Sequence, residues 1–140
     1  MTDMPIGQLS AVTGVKIPTI RYYEQIGLLP PPERSAGNRR LYDTRAQQRL
    51  MFIRHARELG FEVEAIRQLL DMSDEPNRSC HEADSLARAR LADIESKIAR
   101  LESLRDEVKR MIDDCGQDRI CHCRVIEVLA DHGQCLHDRH

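Results

Sequence analysis

The stretch from Ser79 to Asp113 constrains the fold more than any other part of the sequence, because it contains neither glycine nor proline. Apolar residues recur in it at intervals of three and four, which is typical of a coiled-coil seam. A continuous helix over this stretch would be roughly 50 Å long. The residues of the seam are Ala87, Leu91, Ile94, Ile98, Leu101, Leu104, Val108 and Met111.

This apolar seam needs a cover that the rest of the chain is too small to provide. The sequence has 140 residues, which leaves room for one small domain beside the long helix. The same helix of a second copy can cover the whole stripe, so the sequence predicts a homodimer. The seam does not by itself distinguish parallel from antiparallel pairing.

The N-terminal residues predict two short helices joined by a tight turn. Apolar residues spaced three apart from Ile6 to Val12 indicate the first helix, and Gly14 stands where a positive φ would reverse the chain. Pro18 suits the first turn of a second helix, which runs to about Gln25. Two short helices joined by a turn that contains glycine form the helix-turn-helix pattern.

A two-stranded wing and two further helices follow. Gly37 and Asn38 form a turn pair inside a basic segment, and this pattern indicates a hairpin with a basic edge. Asp43 or Thr44 can cap a third helix, and a fourth runs over about residues 63–70. The apolar stripe of the third helix is Leu50, Ile53, Ala56 and Leu59.

Charge is divided unevenly along the chain. Residues 16–57 hold nine Lys/Arg and three Asp/Glu, whereas residues 71–140 hold eleven Lys/Arg and sixteen Asp/Glu. A basic segment beside an acidic one indicates a module that binds a polyanion, joined to a part that stays away from it. Within the basic segment we expect Arg54 to face solvent or phosphate, and Arg49 and Arg57 to be structural.

Several functional classes are disfavoured by the same sequence. No apolar stretch is long enough for a membrane helix, and the N-terminus lacks the pattern of a secretory signal, so we predict a cytoplasmic protein with no membrane partner. No nucleophile–base pair or phosphate-binding loop is recognisable, so we predict that the protein is not an enzyme. Four of the five cysteines fall within the last 26 residues, which indicates metal or redox chemistry.

Four motifs between residues 6 and 61 resemble the DNA-binding domain of the MerR family. They are Ile6-Gly7-x-Leu9, Thr19-Ile20-Arg21-Tyr22-Tyr23-Glu24-x-x-Gly27-Leu28-Leu29, Arg34-x-x-x-Asn38-x-Arg40-x-Tyr42 and Phe52-Ile53-x-x-Ala56-x-x-Leu59-Gly60-Phe61. The resemblance extends from residue 4 to about residue 130. It implies a mainly α fold with a winged helix-turn-helix domain at 1–72, a dimerisation helix in an antiparallel coiled coil at 79–113, a metal-binding loop and short helix at 114–130 and a tail at 131–140.

The resemblance also implies how the protein meets double-stranded promoter DNA. The second helix would lie in the major groove, with Arg21 and Tyr22 contacting bases or phosphates and Tyr23 contacting the backbone. The residues expected to follow the backbone from the wing are Arg34, Asn38, Arg40 and Tyr42. A dimer reads two half-sites, so we expect an inverted repeat. Members of the family distort the promoter so that bound RNA polymerase can engage both of its elements.

Cysteines supply the predicted metal site. Cys115 and Cys123 bracket a seven-residue loop that is similar to the loop cysteine pair of metal sensors in this family. Cys80 begins the long helix, and in an antiparallel dimer it would meet the loop of the partner. Family members that sense Cu(I), Ag(I) or Au(I) carry serine at the position of Cys80. The resemblance therefore implies a divalent metal that controls efflux or resistance genes.

The types of the candidate donor atoms favour some metal ions over others. Cys121 and His122 are further candidate ligands, and mixed sulfur and nitrogen donors favour Zn(II), followed by Cd(II), Pb(II) and Hg(II). Whether Cys121, His122, His81 and Cys135 are ligands stays open. The alternatives are a Cu(I)/Ag(I) sensor of the same family and a thiol-based redox sensor. The cysteine spacing departs from that of iron–sulfur members, so a cluster is disfavoured.

Overall fold

The computed structural model describes residues 3–34, 36–37, 39–114 and 123–131, and these are mainly helical. Two compact units, residues 1–86 and 87–140, are distinguished by their internal contacts. No helix among the described residues is long and apolar enough to cross a membrane. The helices are α1 (Ile6–Thr13), α2 (Ile17–Gln25), α3 (Thr44–Glu58), α4 (Val63–Ser73), α5 (His81–Asp113) and α6 (Arg124–Ala130), and the strands are β1 (Glu33–Arg34) and β2 (Arg40–Leu41).

The predicted helix-turn-helix is formed by α1 and α2. Gly14 ends α1 with φ 74°, and its N–H donates to the carbonyl of Ser10 at 2.9 Å. This left-handed conformation costs an L-residue more than it costs glycine. Pro18 lies in the first turn of α2, where a missing N–H breaks no helical hydrogen bond. Both local predictions are confirmed.

The wing is a short antiparallel pair in which Glu33 lies opposite Leu41 and Arg34 lies opposite Arg40. An isolated β-bridge, which the sequence did not predict, links Met4 to the residue directly after β2. Met4 and Tyr42 exchange two backbone hydrogen bonds of 2.8 Å. The main chain before α1 is therefore tied to the residue that follows the wing.

One apolar core unites the first unit. It is built from one face of each of α1–α4 and from the loop after α2, where Leu28 and Leu29 are fully buried. Asp43 Oδ1 caps α3 by accepting a 2.9 Å hydrogen bond from the N–H of Ala46, as one of the two predicted alternatives. The core residues are Met4, Leu9, Val15, Ile20, Tyr23, Leu28, Leu29, Tyr42, Leu50, Ile53, Ala56, Ile66 and Leu70.

Two residues expected on apolar faces lie outside this core. Val12 is half exposed, and Thr13 takes its place with a hydroxyl that donates to the carbonyl of Leu9 at 2.7 Å. With 3.6 residues per turn, position 13 returns closer than position 12 to the face of Leu9 and Ile6. Leu59 is also exposed, because nine residues turn a helix by two and a half turns and carry it opposite Leu50.

Arginines of α3 and α4 hold the helix-turn-helix by donating to carbonyls in its loops. Arg49 Nε donates to Leu28 O at 2.7 Å, and Arg67 Nη2 donates to Ile26 O at 2.8 Å. Arg54 Nη1 donates to the carbonyl of Thr13. The structural role predicted for Arg49 is confirmed. Arg54 has a structural role as well, although its side chain is 41% exposed as expected and its Nε donates to Glu58 Oε1 at 2.9 Å.

Helix α5 keeps most of its apolar seam exposed within one chain. Leu91, Ile98, Leu101 and Val108 are each about half exposed or more. Met111, which the sequence assigned to the seam, is already buried in the second unit, as is Val128 of α6. The exposed residues continue instead at Ile112, which keeps the three-and-four alternation and stays on the same face.

Replacing Gly14 with alanine should destabilise the protein. A Cβ at Gly14 would lie 2.5 Å from Arg54 Nη1, and φ is positive there, so we expect a loss of about 1–2 kcal/mol in the free energy of unfolding. Urea denaturation at fixed protein concentration measures the loss. Gly7→Ala is the matched control, since Gly7 is in α1 with no neighbouring atom within 4 Å of a Cβ. That variant should be at least as stable as wild type, because alanine loses less conformational freedom in a helix than glycine, and equal stabilities of the two variants would contradict the constraint at Gly14.

If α5 pairs with its copy through the predicted seam, a charge placed there should disrupt the dimer. In such a dimer Ile98→Asp would bury an unpaired carboxylate twice, which costs several kcal/mol. Sedimentation velocity should therefore show a monomer or a much weaker dimer, and DNA binding should fall with it. Ala99→Asp adds the same charge one position around the helix, away from the exposed apolar face, and should leave the dimer intact. Equal dimer dissociation constants for the two variants would rule out this packing.

Candidate nucleic-acid interface and metal ligands

An open groove of about 710 Å³ runs between the exposed side of α2 and the wing. Three guanidinium groups line it, those of Arg21, Arg34 and Arg40, together with one carboxylate, that of Glu24. Arginine can donate two parallel hydrogen bonds to guanine or to phosphate. The groove therefore gathers three of the seven residues that the sequence predicted for DNA contact.

The period of α2 decides which of its side chains reach this groove. Ile20 and Tyr23 point into the core, so Arg21 and Tyr22 face outward. Tyr22 is 49% exposed, and its ring lies 6.0 Å from that of Tyr23 at a tilt of 48°. Among the described residues Arg21 has no ion pair, so its guanidinium is available to a ligand.

Glu24 was not predicted as a functional residue, yet it connects α2 to the wing. Its Oε2 accepts a hydrogen bond from Arg40 Nη1 at 3.2 Å, and its Oε1 accepts one from the hydroxyl of Tyr42. Burial and the neighbouring carboxylate raise the pKa of Tyr42, so the hydroxyl stays protonated and donates. The available signal was an acidic residue directly after Arg21-Tyr22-Tyr23 in a basic segment.

The remaining predicted DNA residues differ in accessibility. Arg34 is exposed on β1. Tyr42 is only 1% exposed, so the phosphate contact that the sequence predicts would require it to leave the core. The ring of Tyr23 is buried as well, and Asn38 lies outside the described residues.

The predicted metal ligands are described only in part. Cys80 is exposed directly before α5, and Cys123 is partly buried directly before α6. The other predicted ligands, Cys115, Cys121 and His122, lie outside the described residues. Within the described part of the chain, no three His, Cys, Asp or Glu side chains converge as a metal site would require.

Two family models match the chain and agree with the fold. The model described as "MerR HTH family regulatory protein" matches residues 4–73, and the model described as "MerR, DNA binding" matches residues 47–111. The chain belongs to the MerR family. MerR regulators are DNA-binding proteins that act on promoter DNA as homodimers and are not enzymes.

Relatives of this MerR-family chain cover nearly its whole length. Heavy metal-dependent transcription regulator 1 of Rhizobium meliloti (strain 1021) is 39% identical over 129 residues, which is 91% of this chain and 88% of the relative. The crystal structure of PbrR691 from Ralstonia metallidurans CH34 in complex with lead(II) matches with TM-score 0.77 and 37% identity, over 90% of this chain and 98% of that one. The structure of MerR from Bacillus megaterium MB1 in complex with mercury(II) matches with TM-score 0.69 and 30% identity, over 91% and 99%.

Removing the guanidinium of Arg21 should weaken sequence-specific DNA binding. If Arg21 pairs bidentately with a base, Arg21→Ala should cost roughly 1–3 kcal/mol in affinity for the preferred site. Mobility-shift titration on an inverted-repeat duplex, selected from a random pool by the wild-type protein, measures this loss. Arg100→Ala removes an exposed cation from α5 that is not among the residues lining the groove, and it should bind like wild type. Unchanged affinity for Arg21→Ala would refute the assignment of α2 as the recognition helix.

Proposed function

We propose that this protein is a metal-responsive transcription regulator that binds an inverted-repeat promoter site as an antiparallel α5 dimer. The observation that carries the DNA-binding half is the groove between α2 and the wing, where three arginines converge. The basic segment of the sequence coincides with this unit, so the electrostatic attraction to phosphate is concentrated there. Each subunit would then bind one half-site.

We assign the DNA contacts by accessibility. Arg21 and Tyr22 extend from the exposed side of α2 and are our candidates for base or phosphate contact. Arg34 on the wing is our candidate for a contact with the phosphate backbone, which positions the protein without reading sequence. Tyr23 supports Tyr22 from the core, and its hydroxyl is the part of it that we propose meets the backbone.

The metal response is proposed from the cysteines and from what the relatives are said to bind. One relative is described as heavy metal-dependent, and two similar structures hold lead(II) and mercury(II). Cys80 is an exposed thiol at the start of a helix, accessible to a metal ion and to a second subunit. A set of three thiolates, Cys80 with Cys115 and Cys123, suits a divalent ion better than a monovalent one.

We propose Zn(II) as the inducer and Cd(II), Pb(II) and Hg(II) as further ions that the site accepts. His81 and His122 are nitrogen donors near the proposed thiolates in sequence, and such donors favour zinc over the softer mercury. When bound, the metal would bring the ligand-bearing segments together. The cysteine thiols would lose their protons on binding the metal, so the affinity for the metal should rise with pH.

The readout would be a change in DNA shape. A ligand shifts a conformational equilibrium only as far as its affinities for the two conformations differ. Smooth bending of a DNA site costs about 1–6 kcal/mol, which sets the size of the difference that is needed. A metal-bound dimer that prefers a distorted promoter by a few kcal/mol is enough to change how RNA polymerase engages it. We propose that the regulated genes encode metal efflux or resistance proteins.

A pair of heterodimers tests whether each site is shared between subunits. One chain carries Cys80→Ser and its partner carries Cys115→Ser. If Cys80 of one subunit completes the loop site of the other, both defects fall on one site and the second stays intact. Equilibrium dialysis with Zn(II) should then give one ion per dimer at wild-type affinity. No tightly bound ion would refute sharing.

The reciprocal heterodimer is the control. Here both substitutions are in one chain and its partner is wild type, so a shared arrangement leaves neither site intact, whereas sites within one chain leave one site intact.

The choice of metal is tested separately on the wild-type homodimer, by dialysis with Cu(I) and Ag(I) beside Zn(II), Cd(II), Pb(II) and Hg(II). Preference for the monovalent ions in the wild-type homodimer would contradict the divalent assignment while leaving DNA binding untouched.

A further inference from the structure

The groove that we propose binds DNA contains a carboxylate, and the presence of this negative charge beside phosphate calls for a physical explanation. Glu24 is the single acidic residue among the six that line the groove, the others being Ile6, Arg21, Gln25, Arg34 and Arg40. Its side chain is only 10% exposed. A negative charge at this place repels the DNA backbone unless a cation neutralises it.

Both oxygens of Glu24 are engaged by residues at the wing. Arg40 belongs to β2, and Tyr42 is the residue that pairs with Met4 directly after that strand. Tyr42 is fully buried, so its hydroxyl fixes the carboxylate in place from the core side. Arg40 is 45% exposed and approaches from the solvent side. The carboxylate thus joins α2 to the wing and cancels one wing cation.

We propose that Glu24 is a positioning residue that docks the wing on the recognition helix and withholds Arg40 from the phosphate backbone. Exposed ion pairs are weak, but transferring Arg40 to phosphate would leave a largely buried carboxylate with one partner fewer beside more negative charge. Phosphate contacts carry no sequence information. Withholding one therefore lowers affinity for arbitrary DNA and raises the discrimination that Arg21 and Tyr22 provide.

The salt dependence of binding to arbitrary DNA separates this role from a merely structural one. Each phosphate contact adds about 0.9 to the slope of log affinity against log salt concentration. Glu24→Gln keeps an acceptor oxygen but releases Arg40, so on a duplex of scrambled sequence the slope should steepen by about 1.8 for the dimer. Affinity for that duplex at low salt should rise several-fold, and the ratio of selected to scrambled binding should fall.

Two matched variants identify the source of any change. The steepening should vanish in the double variant Glu24→Gln, Arg40→Gln, because no cation is left to release. Glu33→Gln removes an exposed acid from β1, opposite Leu41, and should leave the slope unchanged. Thermal melting followed by circular dichroism verifies that each variant is folded. If Glu24→Gln proved to be misfolded, Tyr42→Phe would test the docking of the wing on α2 alone. This variant should weaken binding to the selected duplex without changing the slope of log affinity against log salt concentration.

The outcomes distinguish this inference from the proposed function on which it rests. If Arg21→Ala leaves binding to the selected duplex unchanged, the groove is not the DNA surface and both proposals fail. If Arg21→Ala weakens binding but Glu24→Gln keeps the wild-type slope, only the withholding of Arg40 is refuted. A slope that flattens in Arg40→Gln alone would also overturn it, because Arg40 would then already contact phosphate.

Discussion

A nine-residue helix is too short to persist alone in water, so the outward-facing side chains of α2 depend on the rest of the first unit for their direction. Their direction is fixed from behind, by Ile20 and Tyr23 in the core. The loops at the two ends of α2 are held by guanidinium groups that satisfy backbone carbonyls, and such charge-assisted bonds contribute about 1.5–3 kcal/mol each. Arg54 holds the loop before α2, and Arg67 holds the loop after it. The groove is therefore only as well ordered as the packing of α3 and α4 beneath it.

Much of the first unit could be predicted because its signals are local. Gly14 and Asp43 depend on turn and cap chemistry within a few residues: the turn at Gly14 was predicted, and Asp43 was one of the two predicted caps. Helix faces were predicted less well where the spacing was counted in threes, as at Val12, because a helix does not repeat every three residues. The pairing of Met4 with Tyr42 joins residues 38 positions apart, and no local pattern indicates it.

The candidate site divides in the same way. Arg21 and Tyr22 could be selected from the sequence because it resembles the MerR DNA-binding domain there and because their residue types suit DNA; the structure adds that both face outward on α2. The ion pair of Arg40 could not be predicted from the sequence. A basic residue on a wing suggests a phosphate contact, and only the structure shows that the carboxylate of Glu24 lies beside it. For the metal, the resemblance to metal sensors of the family carries the prediction, since of the proposed thiolate ligands only Cys80 and Cys123 lie within the described residues.

The bridge between Met4 and Tyr42 has a practical consequence for handling the protein. Because both backbone hydrogen bonds of this bridge hold Met4 against Tyr42, directly after β2, anything fused upstream of Met4 is attached next to the wing. A purification tag or fluorescent fusion at that end would sit where DNA is expected to approach, and a histidine-rich tag would add donors for the same metals. Affinity measurements are better made after such a tag has been cleaved.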